Sequence, residues 1–86
     1  MMKVDGLDNA IIGVGVRCGE DDILVYSYEK CIEEFMNMND WTYGEAVEWM
    51  DFNVVGEYFG KTTPIFVREI TEEDEVFPMS YDLLKK

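Results

Sequence analysis

Apolar and polar positions alternate over residues 10–18 (AIIGVGVRC) and again over residues 23–27 (ILVYS), with the acidic turn Gly19-Glu20-Asp21-Asp22 between them. A period of two broken by turn residues predicts two strands in a hairpin-like connection. The pattern then changes period. After Ser27, which suits an N-cap, Tyr28, Cys31, Ile32, Phe35 and Met36 fall at i, i+3, i+4, i+7 and i+8, while Glu29, Lys30, Glu33, Glu34 and Asn37 fill the other side. This is the stripe of an amphipathic helix. Residues 37–40 (NMND) interrupt it, and Thr42-Tyr43-Gly44-Glu45 restarts it as a capping box. The second helix is expected to reach about Phe59 and stop at Gly60, with a third strand beginning at Pro64 (PIFVRE). The order β-β-α-α-β predicts a small α+β domain over residues 1–70: a three-stranded, mainly antiparallel sheet with two helices on one face. Residues 71–86 form an acidic segment (TEEDE) and a C-terminal tail. The four acids predict a solvated, mobile stretch, and a short helix from Ser80 is one reading of the tail.

Strict alternation in the first strand puts Ile12, Val14, Val16 and Cys18 on one side, expected beneath the helices, and Ile11, Gly13, Gly15 and Arg17 on the other. That second side is a bare strip on which a flat ligand, a backbone or a second sheet can lie. The segment is not a dinucleotide fingerprint, because Cys18 stands where a third glycine is needed and the chain runs on into a strand instead of a helix. The third strand is apolar on both faces, with Ile65 and Val67 on one and Phe66 on the other. Two helices can cover only one side of such a sheet, so a homodimer is expected. Its contact face would comprise Ile11, Gly13 and Gly15 together with the outward residues of the second helix, Phe52, Val55 and Phe59. The tail residues Val76, Phe77, Met79, Leu83 and Leu84 are the alternative cover for that helix. Its core side is read as Tyr43, Ala46, Val47, Met50, Val54 and Tyr58.

Asn53 and Glu57 project beside Ala46 and Met50, where apolar groups belong. A polar pair there is either hydrogen-bonded internally or lines a pocket, with Arg17 a partner for the carboxylate and Tyr26 a further hydrogen-bonding group. The chain has no histidine and only two cysteines. Cys18 and Cys31 both project to core faces, and no spacing of acids, thiols or nucleophiles makes a catalytic centre, a metal site or a cofactor motif. A binding protein without cofactor or metal is therefore expected, not an enzyme.

Nineteen acidic residues against seven basic ones give a net charge of −12, which repels nucleic acid and anionic membranes. Such a surface suits a protein that meets a basic partner, or one that simply stays soluble. The stripes Glu29, Glu33 and Glu34 on the first helix and Glu45, Glu48 and Asp51 on the second are the candidate partner-binding face. The competing class is a small-ligand protein with a pocket near Arg17 and Asn53. MMKVDGLDNA lacks the hydrophobic region of a signal peptide and no apolar run approaches membrane-spanning length, so a cytoplasmic protein with reduced thiols is expected.

The phrases DGLDNAIIGVGVRCG, LVYSYEKCIEEFM and WTYGEAVEWMDFNVVGEYFGKTTPIFV resemble a group of small acidic proteins of unknown function encoded by tailed bacteriophages and by bacterial genomes that carry them. The resemblance covers about residues 5–68, with Glu57 and Lys61 departing from the small and acidic residues at those places. It implies an accessory protein of the host cytoplasm that binds and disables a host component. Either carboxylates occupy a nucleic-acid-binding groove or a small nucleotide-type signalling molecule is sequestered.

Overall fold

A computed structural model describes residues 1–78. Its elements run β1 (Ile11–Gly15), β2 (Ile23–Ser27), α1 (Tyr28–Asn39), α2 (Tyr43–Met50) and β3 (Ile65–Val67), with a 3-10 turn (Asp8–Ala10) before β1 and a π turn (Asp51–Val55) after α2. The domain is α+β in the order β-β-α-α-β. Its sheet has the order β1-β2-β3, antiparallel between the first pair and parallel between the second. The helices supply the crossover that a parallel pair requires.

The helix ends form as their sequence dictates. Ser27 is extended, and its Oγ accepts the Lys30 N–H at 3.2 Å. The second helix opens on the full capping box: Thr42 Oγ1 accepts the Glu45 N–H at 3.3 Å while Glu45 Oε1 accepts the Thr42 N–H at 3.0 Å. The first helix runs through the expected break to Asn39 and stops at Asp40, which sits in the left-handed region at φ 54° and returns its N–H to Met36 O.

Seven residues are fully buried: Leu7, Ala10, Tyr26, Cys31, Ile32, Ala46 and Met50. The α1 stripe packs as expected, with Tyr28, Phe35 and Met36 bordering Cys31 and Ile32. Tyr26 is the centre of the sheet's inner face, paired with Ile11 on one side and Phe66 on the other, its ring 5.4 Å from that of Phe66. The N-terminal segment closes the core from below, through Leu7, Ala10 and the Val4 N–H, which donates to Tyr26 Oη at 2.9 Å.

Several sequence expectations are corrected. The first strand ends at Gly15, and the reversal is a turn in which the Glu20 N–H donates to Arg17 O at 3.1 Å, so Arg17 and Cys18 lie in an exposed connection and not on a strand face. Gly19, at φ +79°, supplies the left-handed residue that this turn needs. Alternation along β1 is also interrupted, because Ile11 pairs with Tyr26 and Gly13 with Val25, leaving Ile12 as the extra residue of a bulge. The bulge turns Ile11 into the core. Beyond it Val14 lies on the inner side with Leu24, but it and Val16 are exposed and not beneath the helices, while Gly13 and Gly15 share the opposite side with Ile23 and Val25.

In α2, Ala46 and Met50 are buried and Val47 and Val54 flank them, but regular winding stops at Met50. The Gly56 N–H bonds to Asp51 O, five residues back, and the chain leaves the helix at Gly56 rather than at Phe59. Tyr58 is therefore exposed instead of buried, and Tyr43 at the first turn is half exposed. Phe52, Val55 and Phe59 face outward as expected.

The acidic segment carries a local clasp. Asp74 accepts from Arg68 at 2.6 and 3.0 Å and from the Thr71 N–H at 2.8 Å, and the guanidinium holds its carboxyl well below the usual carboxylate range. Val76 and Phe77 are exposed and do not cover the second helix. The expectations for Met79, Leu83, Leu84 and a helix from Ser80 lie outside the described residues. Among the described residues no helix is long and apolar enough to cross a membrane.

Candidate functional site

The four residues expected to share a pocket do not come together. Tyr26 is buried and its hydroxyl is engaged by Val4. Arg17 lines a depression of about 480 Å³ at one end of the sheet's outer face, with Glu20, Asp21, Tyr58, Lys61 and Ile65. Asn53 and Glu57 line a different depression of about 240 Å³, between the π turn, Lys3 and the start of β3. Both are exposed, because the π turn carries them off the arc beside Met50 that regular winding would give. No ion pair joins Glu57 to Arg17 among the described residues.

The expected acidic face divides by function. Two of its members tie the helices together: Tyr28 Oη donates to Asp51 Oδ1 at 2.7 Å, and Tyr43 Oη donates to Glu29 Oε1 at 3.1 Å. Burial and then the Asp51 carboxylate push the Tyr28 hydroxyl up to about 12, and the bond to Glu29 raises that of Tyr43. Both phenols thus stay neutral donors at physiological pH, and their carboxylates are held in place. Glu45 is fixed by the capping box, whose Thr42 N–H and hydroxyl lower its pKa. The remaining acids, Glu33, Glu34 and Glu48, make no ion pair or side-chain hydrogen bond among the described residues, where the ion pairs are Lys3–Asp8 and Arg68–Asp74.

Beside these acids is a feature that the reading of the sequence missed. Trp41 and Trp49 approach with ring centroids 5.5 Å apart and planes at 51°, and Phe35 backs Trp41 at 6.4 Å. With Phe52, Glu45, Glu48 and Asn53 the two tryptophans line a shallow depression of about 440 Å³. Trp49 is 46% exposed and Phe52 79% exposed. A signal for this existed in the spacing, since residues 41, 45, 48, 49 and 52 stand at i, i+4, i+7, i+8 and i+11. That is the period of a buried stripe, here carrying two glutamates among its aromatics. Trp41 borders the core, while Glu45, Glu48, Trp49 and Phe52 carry the stripe on the exposed side of α2.

The expected oligomer face is likewise divided. Ile11 packs against the core, Gly13 and Gly15 lie on the outer side of the sheet, and Phe52, Val55 and Phe59 lie on the helical side or its end. The two cysteines part company as well: Cys31 is buried and its thiol is pushed up to about 11 by burial and by Glu34, whereas Cys18 is exposed in the β1–β2 connection. A thiol reagent should therefore modify one cysteine per native chain and both in denaturant, as read by mass spectrometry. Rapid double labelling of the native protein would contradict this placement of Cys31.

No family model, curated protein or solved structure matches this chain. The exposed indole of Trp49, backed by the half-buried Trp41, and the Phe52 ring, bounded by one fixed and one free carboxylate, can hold a cationic side chain: the ring faces attract the cation, the glutamates neutralise it, and the aromatic area shields both from water.

Proposed function

We propose that this chain is a non-catalytic binding protein that engages a basic protein partner through the aromatic and acidic surface of α2, flanked by the free carboxylates of α1. The observation that carries this reading is the depression in which exposed Trp49 and Phe52 stand beside Glu45 and Glu48, with no lysine or arginine of the described chain paired to those acids. Exposed aromatic anchors mark interfaces, and the surrounding acids select a partner of opposite charge and speed its approach. Under the resemblance to phage-encoded proteins, the partner is a component of the bacterial host and the outcome of binding is its inhibition.

A mixed aromatic and acidic patch fits a lysine- or arginine-bearing protein surface better than it fits pure nucleic-acid mimicry, which needs carboxylates alone in a regular array. The small-ligand alternative finds less support, because Arg17 and Asn53 belong to different depressions.

The two tryptophans of the chain both line the depression, so their fluorescence reports on it directly. Titration with a lysine- and arginine-rich peptide is expected to shift tryptophan emission, and raising salt to about 0.5 M should weaken the binding steeply. Glu48→Lys is expected to weaken it about tenfold or more, and Trp49→Ala to do so without loss of fold. Emission indifferent to the peptide, or binding equally strong in Glu48→Lys and at high salt, would overturn the proposal.

A further inference from the structure

We propose that the outer face of the sheet is a two-fold interface between two copies of this chain. Ladder register assigns to that face Gly13 and Gly15 of β1, Ile23, Val25 and Ser27 of β2, and Ile65 and Val67 of β3. None is charged, in a chain where 30% of residues are. Ile65 and Val67 are 48% and 44% exposed, and the helices lie on the other side, against Tyr26 and Phe66.

Shape specifies the occupant as a second copy. One edge of the face, β1, has a trough at Gly13, where a Cβ would meet nothing within 4 Å, while at Gly15 the side chains of Ile23 and Val25 already take that space. The opposite edge, β3, is a ridge of branched side chains. A two-fold axis running along β2 places β1 of each copy over β3 of the other, and because Gly13 and Ile65 are both level with Val25, the trough at Gly13 receives Ile65 of the other copy twice, while β2 meets its own equivalent. Near-aligned packing of two sheets follows from this arrangement.

Charge at the margin agrees. The depression at the end of the face holds Arg17 and Lys61 with Glu20 and Asp21, a balance of two against two in a chain with nineteen acids and seven bases. The same axis brings Lys61, in the loop before β3, over the Glu20-Asp21 turn of the partner. Opposite charges thus meet across the rim, and no strand residue of the face opposes acid to acid.

Neither glycine has a positive φ, so backbone conformation does not require either of them. Gly15 is hemmed in, since its Cβ would lie 3.2 Å from Val25 Cγ2 and 3.3 Å from Ile23 Cγ1. Gly13 is the unencumbered test position. Three short strands make a small interface, so a dissociation constant on the order of tens of micromolar is expected.

Sedimentation velocity of the full chain from low to several hundred micromolar, about a hundredfold range, is the experiment. The wild-type protein is expected to pass from a 10 kDa species to a dimer, and Val25→Glu to remain monomeric. Gly13→Leu supplies the discriminating result. It leaves the face apolar and raises strand propensity, so indiscriminate hydrophobic association would persist or strengthen, whereas filling the trough should raise the dissociation constant about tenfold or more with a retained thermal transition. Trp49→Ala should dimerise normally, which separates this interface from the α2 surface. A wild-type chain monomeric throughout, with the face meeting its own residues 79–86 or some other protein instead, would overturn the proposal. So would a Gly13→Leu variant that associates like the wild type.

Discussion

Tyr26→Ala should leave the chain without a cooperative thermal transition near physiological temperature. The residue is fully buried at the middle of the middle strand, stacks on Phe66, and accepts the Val4 N–H that fastens the N-terminal segment beneath the core. Truncating a core aromatic typically costs about 3–5 kcal/mol, and a backbone donor left without its acceptor adds about 1–3 kcal/mol. Domains of this size have total stabilities toward the low end of about 5–15 kcal/mol. Tyr26→Phe keeps the ring and loses only the acceptor, so it should melt a few degrees early with its circular dichroism unchanged. An alanine variant melting within a few degrees of wild type would show that the tyrosine is not the keystone described. It would return Tyr26 to the role of a ligand-lining group that the sequence first indicates.

Met50→Ala and Trp49→Ala, adjacent in sequence, should have opposite consequences. Met50 is fully buried at the last turn of α2, where removal of its side chain should cost about 2–5 kcal/mol and lower the melting temperature by ten degrees or more. Trp49 is larger but almost half exposed, against Trp41. Its truncation should cost about 1 kcal/mol or less, as for a surface aromatic pair, while removing response to a basic peptide. Calorimetry and peptide titration on the two variants separate what holds the domain together from what it presents. If Trp49→Ala proved the more destabilising, the aromatic cluster would be part of the core and the proposed contact surface would fall.

How far the sequence could be read depended on whether each element kept its period. The α1 face was legible because Ser27 starts it cleanly and five apolar residues keep helical spacing to Met36. The start of α2 was legible because a capping box is a local motif with a local cause. Apart from Arg17 and Cys18, which fall past the end of β1, the faces misassigned within regular elements share one physical origin, a single residue in excess of the regular period. At the bulge the excess residue is Ile12, next to Ile11, and two adjacent isoleucines look the same whichever one turns inward. In the π turn the excess falls within Asp51–Val55 (DFNVV), and it moved Asn53 and Glu57 from an apparent core arc into solvent. Leu7 and Ala10 escaped notice because a 3-10 turn gives them a spacing of three, too short a run to register as amphipathic. The aromatic surface of α2 was overlooked for the opposite reason: its period is regular, but glutamates interrupt its hydrophobicity.

The π turn has a consequence for how such a domain diversifies. It is what a helix becomes on gaining one residue, and losing any one residue from Asp51–Val55 would restore regular winding. The residues between it and β3, which stays paired with β2, would then rotate by about 100°, carrying Tyr58 and Lys61 away from the end of the sheet's outer face. Trp41, Glu45, Glu48 and Trp49, upstream, would stay where they are. A single codon therefore re-aims the link between α2 and β3 without disturbing the helix before it.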